Sequence, residues 1–134
     1  MTASPRRILI HSLSHACAAL AAAEACGRPV LLRSPASFAG NAGPAFFTAL
    51  LAQARAAHPR AKTEAVLDCG DAWGLAMQAL RLGQNRLKVT GPAEVLERLR
   101  GLGARLDDED DAAILDLAEA TDPVTACRAW LTRI

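Results

Sequence analysis

Ile8-Leu9-Ile10-His11-Ser12-Leu13-Ser14-His15, continued by the Ala-rich run Ala16 to Ala25 and closed by Gly27, decides the fold class of this chain. Three successive apolar residues bounded by polar ones read as a short buried strand. Ser14 stands where an N-cap is needed, so a helix is predicted from about His15 to Ala25, ending at Gly27. The same step then repeats. Pro29 leads into Val30-Leu31-Leu32, and a loop from Ser34 to Gly43 follows. Pro44 opens a helix in which Phe47, Leu50, Leu51 and Ala54 share one apolar face, and His58-Pro59 stops it.

Ala65-Val66-Leu67 is the third strand and runs into Asp68-Cys69-Gly70-Asp71. Trp73, Ala76, Met77 and Leu80 repeat the helical period up to Gly83. Arg86-Leu87-Lys88-Val89 alternates polar and apolar residues, as a strand with one covered side does. Gly91-Pro92 turns into a helix that directs Val95, Leu99 and Leu102 inward. Ala113 to Leu117 reads as a last strand, and Asp122-Pro123 as the cap and first turn of a final helix to about Arg133. Strand-then-helix units of this spacing need right-handed crossovers and hence parallel strands. The expectation is one α/β domain over residues 1–134 with a mostly parallel sheet of four or five strands. Its arrangement is either half-barrel-like or an open, three-layer flavodoxin- or Rossmann-like one.

Composition narrows the function classes. Of 134 residues, 51% are hydrophobic, which excludes disorder. Fifteen basic and fourteen acidic residues leave a formal charge of +1, far from the basic excess on which nucleic-acid affinity rests. The charge is unevenly spread: residues 1–67 hold seven basic residues against Glu24 and Glu64, and most of the acidic excess lies in Asp107-Asp108-Glu109-Asp110-Asp111. That run reads as a solvated loop and lacks the alternation of an EF-hand. Cys17, Cys26, Cys69 and Cys127 show no paired spacing, so neither a zinc site nor a disulfide framework is expected. With no signal-peptide pattern and no membrane-length apolar run, a cytoplasmic protein without membrane contact is expected.

In a parallel α/β sheet the loops at the carboxyl ends of the strands gather the chemistry. Here they supply His11, Ser12, Ser14 and His15, then Arg33, Ser34 and Ser37, then Asp68, Cys69 and Asp71, then Thr90. Asp68 is the candidate catalytic residue, because a carboxylate placed directly after a buried strand needs a partner or a task. Ser14, His15, Arg33, Ser34, Asp71 and Thr90 are the candidate ligand-binding residues, suited to a small phosphorylated or carboxylated metabolite. Structural readings stand beside these. Ser14 and Asp71 suit helix caps, Arg33 suits an ion pair with Asp68, and Cys69 beside two carboxylates has a disfavoured thiolate. No GxGxxG or GxxxxGK[ST] pattern occurs, so no cofactor is expected.

Four of these stretches together resemble the amino-terminal half of class II fructose-bisphosphate and tagatose-bisphosphate aldolases. They are Leu32-Arg33-Ser34-Pro35, Asn41-Ala42-Gly43, Leu67-Asp68-Cys69-Gly70-Asp71 and Ala79-Leu80-Arg81-Leu82-Gly83. The resemblance spans about residues 8–91 and implies a barrel-like βα repeat in which Asp68 matches the proton-transfer residue. Cys69 stands where that family has a metal-binding His, and the family's remaining ligands lie in a second barrel half that this chain is too short to contain. The resemblance therefore implies a half-barrel without its metal. The leading functional expectation is a non-catalytic or regulatory module that self-associates or binds a protein partner. The alternatives are a small-anion site at the strand ends and a degenerate lyase acting through Asp68.

Overall fold

The computed structural model describes residues 5–108 and 113–133. Six strands and six helices alternate among them: β1 (Arg6–Leu9), α1 (Leu13–Cys26), β2 (Val30–Arg33), α2 (Phe38–Asn41), α3 (Pro44–Ala57), β3 (Thr63–Gly70), α4 (Trp73–Arg81), β4 (Arg86–Val89), α5 (Ala93–Gly101), β5 (Arg105–Leu106), β6 (Ile114–Asp116) and α6 (Pro123–Leu131). Each strand pair set out below is parallel, as helical crossovers require. The chain is an α/β protein, and its elements gather into two compact units.

The first unit holds β1, α1, β2, the second half of α3, the start of β3, β6 and α6. β1 lies between β2 and β6, with Ile8 level with Leu32 on one side and Leu115 on the other. Partners in register point to the same side of a sheet, so Ile8, Val30, Leu32 and Leu115 share one face. Arg7, Leu31, Arg33, Ile114 and Asp116 share the other. All four residues of β2 are buried, as a parallel strand covered on both faces should be. Helix α1 packs on β2 and α6 and buries Leu20 together with Ala16, Ala19 and Ala23, whose small side chains permit close approach. Trp130 of α6 donates its indole N–H to Arg7 O (3.0 Å), and the guanidinium groups of Arg6 and Arg133 lie over its ring at 5.3 and 5.5 Å from the centroid.

The second unit holds α2, the first part of α3, most of β3, α4, β4, α5 and β5. β4 lies between β3 and β5, and Leu67, Leu87 and Leu106 form a continuous apolar row. Asp68 is level with Lys88 and Arg86 with Arg105, so the charged side chains lie on the opposite face. The register slips between Asp68 and Gly70, where Gly70 takes φ +54° and the strand ends in a bulge. Phe38 of α2 meets Phe47 edge-on, with ring centroids 5.9 Å apart.

Several expectations need correcting. Helix α1 begins earlier than predicted, and Ser12 is its cap, because extended backbone at Ser12 lets its Oγ accept the His15 N–H (3.1 Å). Ser14 is an exposed residue inside the first turn. Asp71 does not cap α4: the N-cap position is Ala72, and Asp71 contributes its backbone carbonyl to the Trp73 N–H. The 34–43 loop contains α2, and Leu102 faces solvent because α5 stops at Gly101. The strands number six among the described residues, one more than the four or five expected, the addition being β5. Two residues carry no apolar run, and β5 exists through pairing: Arg105 N–H donates to Asn85 O (2.8 Å) and Asp107 N–H to Leu87 O (2.7 Å). The acidic run is not solvated throughout: Asp107 is buried with its Oδ1 3.6 Å from the Arg86 guanidinium, Asp108 is exposed, and Glu109 to Asp111 lie outside the described residues.

Candidate functional site

In the second unit, the candidate residues at the strand end are occupied with one another. Asp68 and Cys69 lie within β3, not after it, and both are buried. Ser34 is fully buried, and its Oγ accepts the Asp68 N–H at 2.8 Å. Asp68 Oδ1 in turn accepts the Gly70 N–H at 2.9 Å, a side-chain-to-backbone turn that fixes the bulge. Gly70 O accepts the Thr90 N–H (2.8 Å), and Thr90 O accepts the Trp73 indole N–H (2.9 Å). A Cβ on Gly70 would sit 2.7 Å from Ser37 Oγ, so the backbone approaches closely there. Ser34, Asp68 and Thr90 thus belong to one chain of bonds, while Asp71 stands exposed beside it. Burial, followed by the Asp68 charge, pushes the Cys69 thiol up to about 12, so Cys69 is a neutral thiol and a poor metal ligand.

Beside this filled strand end lies a groove of about 500 Å³. Trp73 and Met77 of α4 form one wall, and Pro92, Val95 and Leu99 at and along α5 form the other, with Glu94 and Arg98 among its lining residues. Trp73 is held at its mouth by the bond to Thr90 O. Gly91 permits that placement, because a Cβ there would lie 2.8 Å from the indole Nε1. The residues of this groove were legible as apolar periodic positions but not as an open surface. A helical period alone does not distinguish a face that packs inward from one that remains uncovered.

In the first unit, Arg33 is the last residue of β2 and is buried, so it leaves the strand-end loop to which it was assigned. Ser14 is exposed and His15 half-buried in the first turn of α1. Two residues outside the expected binding set join His15. His11 Nε2 lies 2.7 Å from Asp116 Oδ1, and the His11 backbone N–H donates to His15 Nδ1 at 3.0 Å. Asp116 also accepts the Ala118 N–H (2.9 Å), which holds its carboxyl below the usual range, reinforced by His11. His15 is lowered from the ordinary imidazole value, first by burial and then by the His11 charge. The sequence places His11 in the loop after the first strand but gives no sign of Asp116, since nothing local indicates that β6 returns beside β1, 105 positions away.

Among the described residues, no group of three or more His, Cys, Asp or Glu side chains is placed to hold a metal ion. No helix among them is long and apolar enough to cross a membrane. No protein-family model matches the chain, and no curated protein matches it significantly.

Proposed function

We propose that this chain is a non-catalytic α/β module that self-associates through the α4–α5 face of its second unit, in the reducing cytoplasm. The observation that carries the reading is the uncovered groove of about 500 Å³ between two helices, rimmed by charges of both signs. Apolar side chains in an open groove gain from being covered. A second copy is the occupant that fits the charges. Glu94 and Arg98 are one helical turn apart on α5, so antiparallel pairing of two α5 helices about a twofold axis sets each Glu94 opposite the other copy's Arg98. The surface is self-complementary by its own sequence.

The strand end supports the non-catalytic part. Asp68 is engaged by Gly70 and Ser34, a structural use that accounts for its burial without a substrate. The aldolase resemblance is compatible with this reading, since Cys69 stands where that family has its metal-binding His. The cytoplasmic reading rests on four free cysteines.

Light scattering over a range of concentrations tests the assembly. The unmodified chain should show a dimer mass. Arg98→Glu should shift it to monomer by placing like charges in opposition, and Glu94→Arg combined with Arg98→Glu should restore the dimer. A monomer mass at every concentration removes the second copy as occupant, and an unrestored dimer in the double exchange removes the α5 geometry.

A further inference from the structure

The carboxyl end of α1, in the first unit, borders a recess that the assembly reading does not use. It measures about 90 Å³ and is lined by Ala23, Glu24, Gly27, Arg28, Arg60 and Lys62. A separate backbone contact fixes each of the three cations there. Gly27 takes φ +63° at the end of α1, so the Arg28 N–H donates back to Ala23 O (3.2 Å) and the chain leaves the helix at Arg28. The Arg60 N–H donates to Glu24 Oε2 at 3.0 Å, and the Val30 N–H donates to Lys62 O at 3.0 Å. Glu24 is already engaged, since its other oxygen, Oε1, lies 3.0 Å from His58 Nδ1. Among the described residues, no carboxylate lies within ion-pairing distance of the Arg28, Arg60 or Lys62 side chain, although Glu24 acts on Arg60 from further off.

The charges at the recess do not balance. Arg and Lys carry their charge at any ordinary pH, and three of them face Glu24 and the carboxyl end of α1, which together supply about one and a half negative charges. A positive excess of about one and a half remains. A cavity that encloses a whole metabolite measures about 300–1,000 Å³, so this smaller recess admits one headgroup and leaves the rest of its molecule outside. The planar fork of Arg matches phosphate oxygens in pairs, and a phosphomonoester brings about 1.5–2 negative charges at neutral pH. A carboxylate or a phosphodiester brings a single charge and leaves part of the excess uncompensated. We propose that Arg28, Arg60 and Lys62 bind the dianionic head of a small phosphomonoester where the chain enters β2 and β3. None of the exposed large apolar side chains lines the recess, which suits a soluble ligand rather than a lipid.

Amide proton–nitrogen spectra of the intact chain, titrated with methyl phosphate, test the site. The signals of Gly27, Arg28, Arg60 and Lys62 should shift saturably, and those of α6 should stay still. Affinity should rise severalfold between a pH of about 5.5 and about 8, as the phosphate gains its second charge. Sulfate, whose charge is fixed over that range, carries any contribution from titration of Glu24 or His58, and the rise is read relative to it. Dimethyl phosphate, with its single charge, should bind several times more weakly. Arg28→Gln and Lys62→Gln should each weaken methyl phosphate binding by about two- to fivefold, the worth of an exposed ion pair. Both residues are exposed, so neither exchange should disturb the fold. Arg128→Gln removes a charge from the same unit outside the recess and should leave binding unchanged. Shifts that do not saturate, a phosphate affinity that tracks sulfate at every pH, equal binding of dimethyl phosphate, or an equal loss in Arg128→Gln would each overturn the site. So would binding only to phosphatidylcholine vesicles carrying phosphatidic acid. None of these outcomes depends on whether the chain dimerises.

Discussion

Asp68 joins two roles at one residue: its backbone N–H is taken by Ser34 Oγ, and its carboxylate accepts the Gly70 N–H that closes the β3 bulge. Removing the carboxylate leaves a donor short of its partner inside a buried strand end, which costs about 1–3 kcal/mol. Urea unfolding of Asp68→Ala should show a loss in that range, while Asp68→Asn, which retains an acceptor oxygen, should lose clearly less. A stabilised Asp68→Asn would mean that the native carboxylate carries an unfavourable cost, as ligand-binding residues do, and would reopen its functional reading. Gly70 belongs to the same turn. At φ +54° an L side chain is strained by about 1–2 kcal/mol, so Gly70→Ala should destabilise by at least that amount even if Ser37 Oγ rotates out of the way. No loss of stability in Gly70→Ala would show that the bulge relaxes freely. That Asp68 required a partner was legible from its place after Val66-Leu67. Ser34 was not legible as a partner, because it lies 34 positions away and meets Asp68 only across the sheet, whereas Gly70 is a local partner two residues on.

At the scale of elements, the helix caps show where local pattern suffices and where it fails. Asp122 caps α6 as its Asp-Pro sequence implies, with Oδ1 accepting the Thr125 N–H at 3.2 Å. At α1, Ser12 and Ser14 are chemically equal candidates, and only the point at which the chain leaves β1 selects Ser12. Ser12→Ala should therefore cost about 1 kcal/mol in a thermal or urea melt, and Ser14→Ala should stay within about 0.5 kcal/mol of the unmodified chain. The reverse ranking would show that α1 begins two residues later in solution. The principal strands were readable because each is a short apolar or alternating run bounded by Gly, Pro or a charged residue. β5 was not, since two residues held by backbone bonds to Asn85 and Leu87 leave no periodic trace. Helix α2 was hidden for a related reason: four residues in a Ser- and Gly-rich loop owe their order to Phe38 against Phe47, a tertiary contact. The His11–Asp116 pair escaped because the neighbour of β1 on that side is the last strand in the chain, which no local signal reports.

At the scale of the whole molecule, the titrating groups set a window of pH in which the fold is most stable. His15 is held below its ordinary value of 6.5, so the unfolded chain takes up a proton there before the folded one does. Its contribution is complete above about 6.5 and declines as pH falls below that value. Three carboxylates act lower. Glu24 is depressed chiefly by its bond with His58 and then by the Arg60 N–H, Asp116 chiefly by the Ala118 N–H, and Asp122 chiefly by the Thr125 hydroxyl. Each stabilises fully above its unfolded value of about 4 and loses that contribution as pH falls through its lower, folded one. Asp116 and Asp122 are exposed and Glu24 is half-buried, so the steps of the two aspartates should be shallow and should shrink most with added salt. The alkaline side depends on Cys69 and Cys127, whose thiols burial pushes up to about 12. Above the ordinary thiol value of about 8.5 the unfolded chain loses protons that the folded chain keeps, so stability falls as pH rises toward 12. Urea midpoints measured from pH 3 to pH 10 should therefore form a plateau from about 6.5 to 8.5, with a decline on either side. His15→Asn should remove the step just below 6.5 and leave the carboxylate step in place. Cys127→Ala should lower the plateau by opening a small cavity, yet flatten the alkaline slope, because cavity cost is independent of pH and thiol ionisation is not. Stability that rises from pH 7 toward pH 5 would contradict the sign assigned to His15. An alkaline slope unchanged in Cys127→Ala would show that this thiol ionises alike in the folded and unfolded chain.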